Sequence, residues 1–418
     1  MKRKTGFPFA FRSLFRTFAG ENRTTDDMNS QNTPVHVRLW HRDFWLMSVA
    51  NMLLAMSVYM LIPVMPVWLI ETEHFTMYQT GIAMGIFAVG LFLLGMFCNY
   101  LVQYFRRNKV CIVSILLLSA CISALYYIHG LHNQYVEVRV ILIQRTLLGA
   151  FYGLAQMVLS STLIIDTSES FQRTEANHSS AWFSRLALSL GPLTGLVLFN
   201  YVGFDAVILA SIVCSLMSAA LIMTVNIPFR SPDEGVRVCS LDRFFLPSSW
   251  PMLLNFMLIS MSVGLLLSIG LSDRFYGVMM LGFLLALLAQ RFVFRDAELK
   301  SEVVTGLILL FAALLMIYTR PLPIVWYLAP VCIGLGVGII ASRFLLFFIK
   351  LSRHCKRGTS QSMYMLGWES GLALGIGIGY AAFEEADPTL LCALALVAVA
   401  LLVYHLYTHQ WFLSHKNR

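Results

Sequence analysis

The chain has 418 residues, 58% of them hydrophobic and only 12% Asp, Glu, Lys or Arg. Ordinary soluble domains carry about 25% charged residues, so this composition argues against a water-facing fold. The net charge of +8 would suit nucleic acid in another context. Here the basic residues border apolar runs, where lipid headgroups account for them.

In chain order, residues 1–40 come first: basic and aromatic, then polar, with no long apolar stretch of the signal-peptide kind. Phe11, Leu14, Phe15 and Phe18 recur at helical spacing, with Arg12 and Arg16 on another side. That pattern fits either a helix lying at the inner headgroup surface or a basic tail. Twelve apolar runs follow, at approximately 43–66, 78–101, 110–129, 138–165, 179–200, 204–226, 246–269, 275–293, 302–319, 324–349, 361–382 and 388–409, with Arg139 and Arg291 at the ends of theirs. Each approaches the roughly 20 residues that a bilayer crossing needs. Because a peptide backbone in oil must bond to itself, each run predicts a transmembrane helix.

The expected architecture is an all-α integral membrane protein with cytoplasmic termini. It divides into an N-terminal segment (1–40), a six-helix half (41–226), a linker (227–245), a second six-helix half (246–410) and a tail (411–418). With the N-terminus inside, 24 of the 30 Lys and Arg residues fall on the inner side, and only Arg139, Arg274 and Arg320 fall in outer loops. The other three, Arg145, Arg185 and Arg343, lie inside spans. The eight cysteines have no paired metal-ligand spacing, and no metal or cofactor is expected.

The halves echo each other. Residues 51–58 read NMLLAMSV, and 255–263 read NFMLISMSV with one residue inserted. At a constant offset of 184, Arg185 of span five matches Glu369 of span eleven, Gly191 matches Gly375, and Gly195 matches Gly379. Matches at corresponding places in two six-helix units point to parallel repeats.

The candidate coupling and substrate residues are the polar groups caught in oil. Arg145 shares one side of span four with Gly149 and Gly153, glycines that allow close helix approach. A buried guanidinium needs an acid, carbonyls or a wet cavity. Arg145 is therefore either a solute or coupling contact or a structural pin. Arg185 and Glu369 each lie a few residues inside their spans on the cytoplasmic side. If protons couple transport, a carboxylate must exchange one, and Glu369 is the best carrier available. The alternative is a static ion pair with Arg185, Arg145 or Arg343. Three interior arginines against one acid favour an anionic or zwitterionic organic solute. Asn51, Asn255, Gln144 and Gln156 add polar groups, and Trp45, Tyr59, Trp68, Trp182, Trp326, Tyr327 and Trp368 are interface anchors or pocket walls, two uses that sequence does not separate. In span five, Gly191-Pro192-x-x-Gly195 predicts a bend, used as a moving gate or held as a fixed kink.

These residues resemble the major facilitator superfamily of secondary transporters, and in particular its proton-coupled exporters. Arg145-x-x-x-Gly149 is similar to the superfamily's arginine-glycine motif, and Gly191-Pro192-x-x-Gly195 to the glycine-proline motif of exporters that exchange solute for protons. Gly95 to Asn99, followed by Arg106 and Arg107, resembles its loop signature between spans two and three, with Asn99 in place of the usual aspartate and the basic-x-glycine portion missing. Span one also lacks the embedded acid of many drug exporters in the family. The resemblance implies two six-helix halves rocking about a central cavity in alternating access, with protons as coupling ion, in a plasma membrane of the bacterial inner-membrane type. A lipid-embedded monomer that binds no nucleic acid is expected. Uptake by the same fold, a non-transporting sensor and a membrane enzyme are the rival readings. Against the last, no histidine pair or partnered nucleophile stands in a span.

Overall fold

In the computed structural model the described residues are 39–128, 134–168, 172–225, 237–294, 298–320, 322–353 and 356–416. The N-terminal pattern at Phe11 to Phe18 lies outside them. The described residues form twelve helical rods. The first six are α1 (Arg42–Glu71), α2 (Met77–Leu93 and Gly95–Tyr104, bent by 43° at Leu94), α3 (Arg107–Ile128), α4 (Gln134–Val158, continuing to Asp166), α5 (Arg173–Tyr201) and α6 (Phe204–Met223). The second six are α7 (Pro247–Leu267), α8 (Asp273–Phe292), α9 (Leu299–Thr319), α10 (Val325–Leu351), α11 (Arg357–Ala382) and α12 (Ala386–His415).

Counting α2 as one bent span, eleven of these are long and apolar enough to cross a bilayer. α11 is as long as the others but more polar, burying Ser360, Gln361, Ser362, Glu369 and Ser370 against other helices. The outside of the bundle is greasy. Leu209, Val213 and Met217 of α6, and Leu281, Leu284 and Leu288 of α8, lie exposed, as expected where the solvent is hydrocarbon. The chain is therefore a polytopic all-α membrane bundle in contact with lipid.

Packing follows the same plan twice. In the first half α1 packs on α5 and α6, α4 on α2 and α3, and α3 on α6; adding six to each number gives the helix pairs of the second half. Glycines set the closest approaches. Gly191 and Gly195 of α5 rest on Tyr59 and Met60 of α1, while Gly375 and Gly379 of α11 rest on Gly264 and Ser268 of α7. A side chain at any of the four would collide with its neighbour, so the missing Cβ atoms allow backbone-to-backbone contact. Gly149 and Gly153 of α4 do the same against Phe87, Gly90 and Leu91 of α2.

Breaks in the helices have local causes. Pro63 has no N–H to offer the carbonyl of Tyr59, and α1 breaks at Met60. In α4 the hydroxyls of Ser160, Ser161 and Thr162 each bond back to the carbonyl four residues earlier, within a π turn at Leu159–Leu163. Pro192 lies inside α5, which stays one helix from Arg173 to Tyr201.

Several helices extend beyond their apolar runs. α5 begins at Arg173 rather than 179, and α11 at Arg357 rather than 361. Hydrophobicity marks the thickness of the oil, whereas helical bonding continues into the polar headgroup layer. In consequence Arg185 and Glu369 stand thirteenth in helices of 29 and 26 residues. They lie near mid-helix, not close to one membrane face as their positions in the apolar runs suggest.

The loops with Arg106, Arg107, Lys356 and Arg357 and the end of α12 share one face, here called the basic face. At the opposite, far face the halves meet tightly: Gly81 and Gly85 of α2 touch Gly377 of α11, and Ser189 of α5 donates to the carbonyl of Tyr276 on α8 at 2.5 Å. On the basic face, Gly358 of α11 abuts the carbonyl of Ser161 in the π turn of α4. The described part of the linker bridges both halves there. Ser240 N–H donates to Met96 O at 3.0 Å, Phe244 fills the space left by Gly95, and Arg243 N–H donates to Thr359 Oγ1 at 2.9 Å.

Candidate functional site: a cavity between the halves

A cavity of about 40 Å³ lies between the halves, lined by Asn51, Tyr59, Gln156, Arg185, Tyr364 and Glu369 among others. That volume holds a few water molecules at most. Anything larger than that enters only when the halves part.

Glu369, on α11, is buried at mid-helix. Its Oε1 accepts a hydrogen bond from Tyr59 Oη of α1 at 2.6 Å and another from Tyr152 Oη of α4 at 3.2 Å. Gln156 Nε2 donates to Tyr152 Oη at 3.4 Å and so supports the second phenol. Both phenols belong to the first half and the carboxyl to the second. Oε2 takes no protein hydrogen bond among the described residues.

Arg185, on α5, mirrors this arrangement. Its Nη1 donates to Ser342 Oγ of α10 at 2.7 Å, and its Nε and Nη2 donate to Tyr364 Oη of α11 at 3.3 and 3.2 Å. The guanidinium also lies over the Trp182 ring, 4.8 Å from its centre, a contact worth about 2 kcal/mol when desolvated. Asn51 completes the wall, its amide N–H donating to Ser184 Oγ at 2.7 Å and Ser180 O at 3.3 Å on α5.

The other interior candidates stand elsewhere. Arg343 donates to Glu302 at 2.5 Å, with the acid side chain 1% exposed. Glu302 reads from sequence as a helix-end residue, so this ion pair is hidden there. Arg145 is 4% exposed, donates through Nε to Ala83 O at 3.3 Å and sits 5.2 Å from the centre of the Phe87 ring, so it fastens α4 to α2. Asn255 turns its amide to Ala400 O of α12 at 3.0 Å, away from the cavity. A static ion pair between Glu369 and Arg185, Arg145 or Arg343 is corrected by these contacts: the carboxyl meets phenols, and each arginine has other partners. The excess of positive charge inferred from three arginines is corrected as well. Glu302 balances Arg343, Arg145 lies outside, and the cavity holds one cation and one acid.

The loop motif is local. Asn99 accepts from Gln103 Nε2 at 3.0 Å one turn on, Arg106 precedes the first turn of α3, and Arg107 pairs with Asp166 at the end of α4. Burial, then the nearby Arg107 charge, hold the linker Arg243 guanidinium below its ordinary pKa.

Sequence reasoning places Tyr59 and Trp368 among aromatics of undecided use, and both line the cavity. It misses Tyr152, Tyr364 and Ser342. For Tyr152 a signal exists, since it follows Arg145 by seven residues and shares its side of α4.

Among the described residues no group of three or more His, Cys, Asp or Glu could hold a metal ion. No curated protein sequence matches the chain significantly. Several solved structures share its fold. A bacterial homologue of the iron transporter ferroportin, outward-facing, is 15% identical, with a TM-score of 0.63 over 89% of this chain and 99% of that one. The nucleoside transporter NupG is 12% identical, with a TM-score of 0.61 over 87% and 99%. The human organic anion transporter MFSD10 is 13% identical, with a TM-score of 0.65 over 86% and 98%. The sequence model of the Major Facilitator Superfamily matches residues 47–376. With that match over most of its length, the chain belongs to the Major Facilitator Superfamily, and it is a secondary transporter of the alternating-access type rather than an enzyme.

Proposed function

We propose that the protein exchanges protons for a small zwitterionic solute at the cavity shared by Arg185 and Glu369, exporting the solute across a bacterial inner membrane. Its working unit is a monomer of two six-helix halves with both termini in the cytoplasm. The repeated packing plan and the crowding of Lys and Arg on one face support that arrangement.

One observation carries the coupling. Glu369 of the second half is held by the hydroxyls of Tyr59 and Tyr152 of the first, so its protonation state acts on bonds that cross between the halves. Hydrogen bonds to a charged group are worth about 1.5–3 kcal/mol, roughly twice those to a neutral one. Protonation weakens this latch.

The sign of coupling follows from charge. A purely anionic solute at Arg185 would bind better once Glu369 is protonated, so proton and solute would travel together. A solute with an ammonium end at Glu369 and a carboxylate end at Arg185 competes with the proton instead. Competition gives exchange, in keeping with the exporter resemblance of Gly191-Pro192-x-x-Gly195. The anionic end retains the preference that Arg185 supplies.

The test is flux of amino-acid-like zwitterions in sealed proteoliposomes with an imposed pH gradient. Expected are gradient-driven accumulation with the native chain and its loss in Glu369→Gln, with binding that tightens as pH rises only when the carboxyl is present. Undiminished gradient-driven flux by Glu369→Gln would overturn the coupling role. Binding that weakens as pH rises would replace exchange by co-transport.

A further inference from the structure

A second, larger space of about 460 Å³ opens between α5 and α8 on the basic face. The two helices touch at the far face, where Ser189 bonds the Tyr276 carbonyl, and they diverge toward the basic face. The groove therefore lies on the seam between the halves, and exposed Leu284, Leu288 and Phe292 place lipid alongside it. Its volume falls in the range of about 300–1,000 Å³ typical of small-molecule sites.

The lining sorts by chemistry. Phe183, Leu186 and Leu287 give an apolar wall, while His178, Gln290 and Arg291 bring polar groups toward the basic face. No lining residue is acidic. Two donors are buried with no acceptor among the described residues: the indole N–H of Trp182, a side chain 4% exposed, and the amide nitrogen of Gln290. Buried polar groups nearly always find partners. Orphaned donors beside an arginine, with no acid to balance them, call for an anionic acceptor.

We propose that this groove binds an acidic phospholipid from the basic-face leaflet, with its phosphate among Arg291, His178, Gln290 and Trp182 and an acyl chain along Leu186 and Leu287. Trp182 forms the floor. Its ring edge reaches Gly338 of α10, and its face carries Arg185 of the central cavity. A lipid here wedges α5 from α8 and so favours the conformation with this side parted. The inference is independent of the solute carried and of Glu369.

The experiment is native mass spectrometry of the full chain released from detergent containing phosphatidylglycerol and phosphatidylcholine in equal amounts. Phosphatidylglycerol should be retained in preference. Arg291→Gln should lower that retention about fivefold, the effect of one basic residue at an anionic surface. Leu186→Trp, which fills the groove without changing its charge, should abolish it, whereas Lys350→Gln, exposed elsewhere on the basic side, should leave it unchanged. A photoreactive amino acid at Leu287 in the otherwise native chain should crosslink phospholipid, which guards against variants that misfold. Equal retention of both lipids, no difference between Arg291→Gln and Lys350→Gln, displacement by soluble glycerol phosphate, or a crosslink to residues 1–38 would each overturn the assignment.

Discussion

Arg185 and Glu369 hold equivalent places in α5 and α11, yet neither bonds the other. Each reaches into the opposite half: the guanidinium to Ser342 and Tyr364, the carboxyl to Tyr59 and Tyr152. One guanidinium and one carboxyl thus fasten the two halves at mid-bundle through hydroxyl partners.

The phenols should matter unequally. Tyr59→Phe removes the 2.6 Å bond and Tyr152→Phe the 3.2 Å bond, each at a cost of up to about 1.5–3 kcal/mol when the carboxyl is charged. Tyr59→Phe is expected to shift the pH profile of solute flux more than Tyr152→Phe does. Neither substitution should shift it further in a Glu369→Gln background. A double-mutant cycle on flux against pH measures this, and additive shifts would separate the phenols from the carboxyl.

The Arg343 and Glu302 pair should be structural. Removing one partner of a buried pair costs about 3–5 kcal/mol, while replacing both with apolar groups is often neutral. Arg343→Met alone should lower the melting temperature sharply in detergent. Adding Glu302→Leu should restore most of it, with the pH profile of flux unaltered. A double variant that folds but does not transport would instead give the pair a part in transport.

Gly195 permits α5 to lie against the Met60 carbonyl at the break in α1. Gly195→Leu is expected to destabilise the bundle by about 3 kcal/mol or more, through overpacking against backbone that cannot yield. Thermal unfolding followed by exposure of Cys111, a thiol buried in the native fold, reads the loss. Gly277→Ala should be nearly silent, because a methyl there meets only the ends of the Leu193 side chain at 3.9 Å.

On the basic face, Gly358→Val should push α11 off the Ser161 carbonyl and keep that side parted. Ser160→Cys, on the cavity wall, should then react faster with a maleimide applied from the basic side. An unchanged labelling rate would show that another contact governs closure.

Much of this was legible because oil imposes one rule on backbone. The apolar runs locate the rods, and the offset of 184 pairs Arg185 with Glu369 from the sequence alone. What escaped were partners far apart in sequence. Tyr152 and Tyr364 look like any aromatic in an apolar helix, since the hydroxyl's partner lies 217 residues away in one case and 179 in the other. Glu302 hides at the edge of its run. Asn255 occupies the place in its repeat that Asn51 occupies in the first, yet its amide goes to Ala400 of α12, whereas that of Asn51 goes to Ser184 and Ser180 of α5; at the offset of 184, Ser184 is matched by Trp368, which offers no acceptor. Local spacing fixes which side of a helix a residue takes, but not what waits opposite.

The linker has mechanical weight. Arg243 and Phe244 are adjacent in the chain, yet the first is anchored to Thr359 of one half and the second is plugged into the bend of α2 in the other. Two neighbouring residues have little slack between them. A rocking motion that carried Gly95 away from Thr359 would have to unseat one anchor before this side could part.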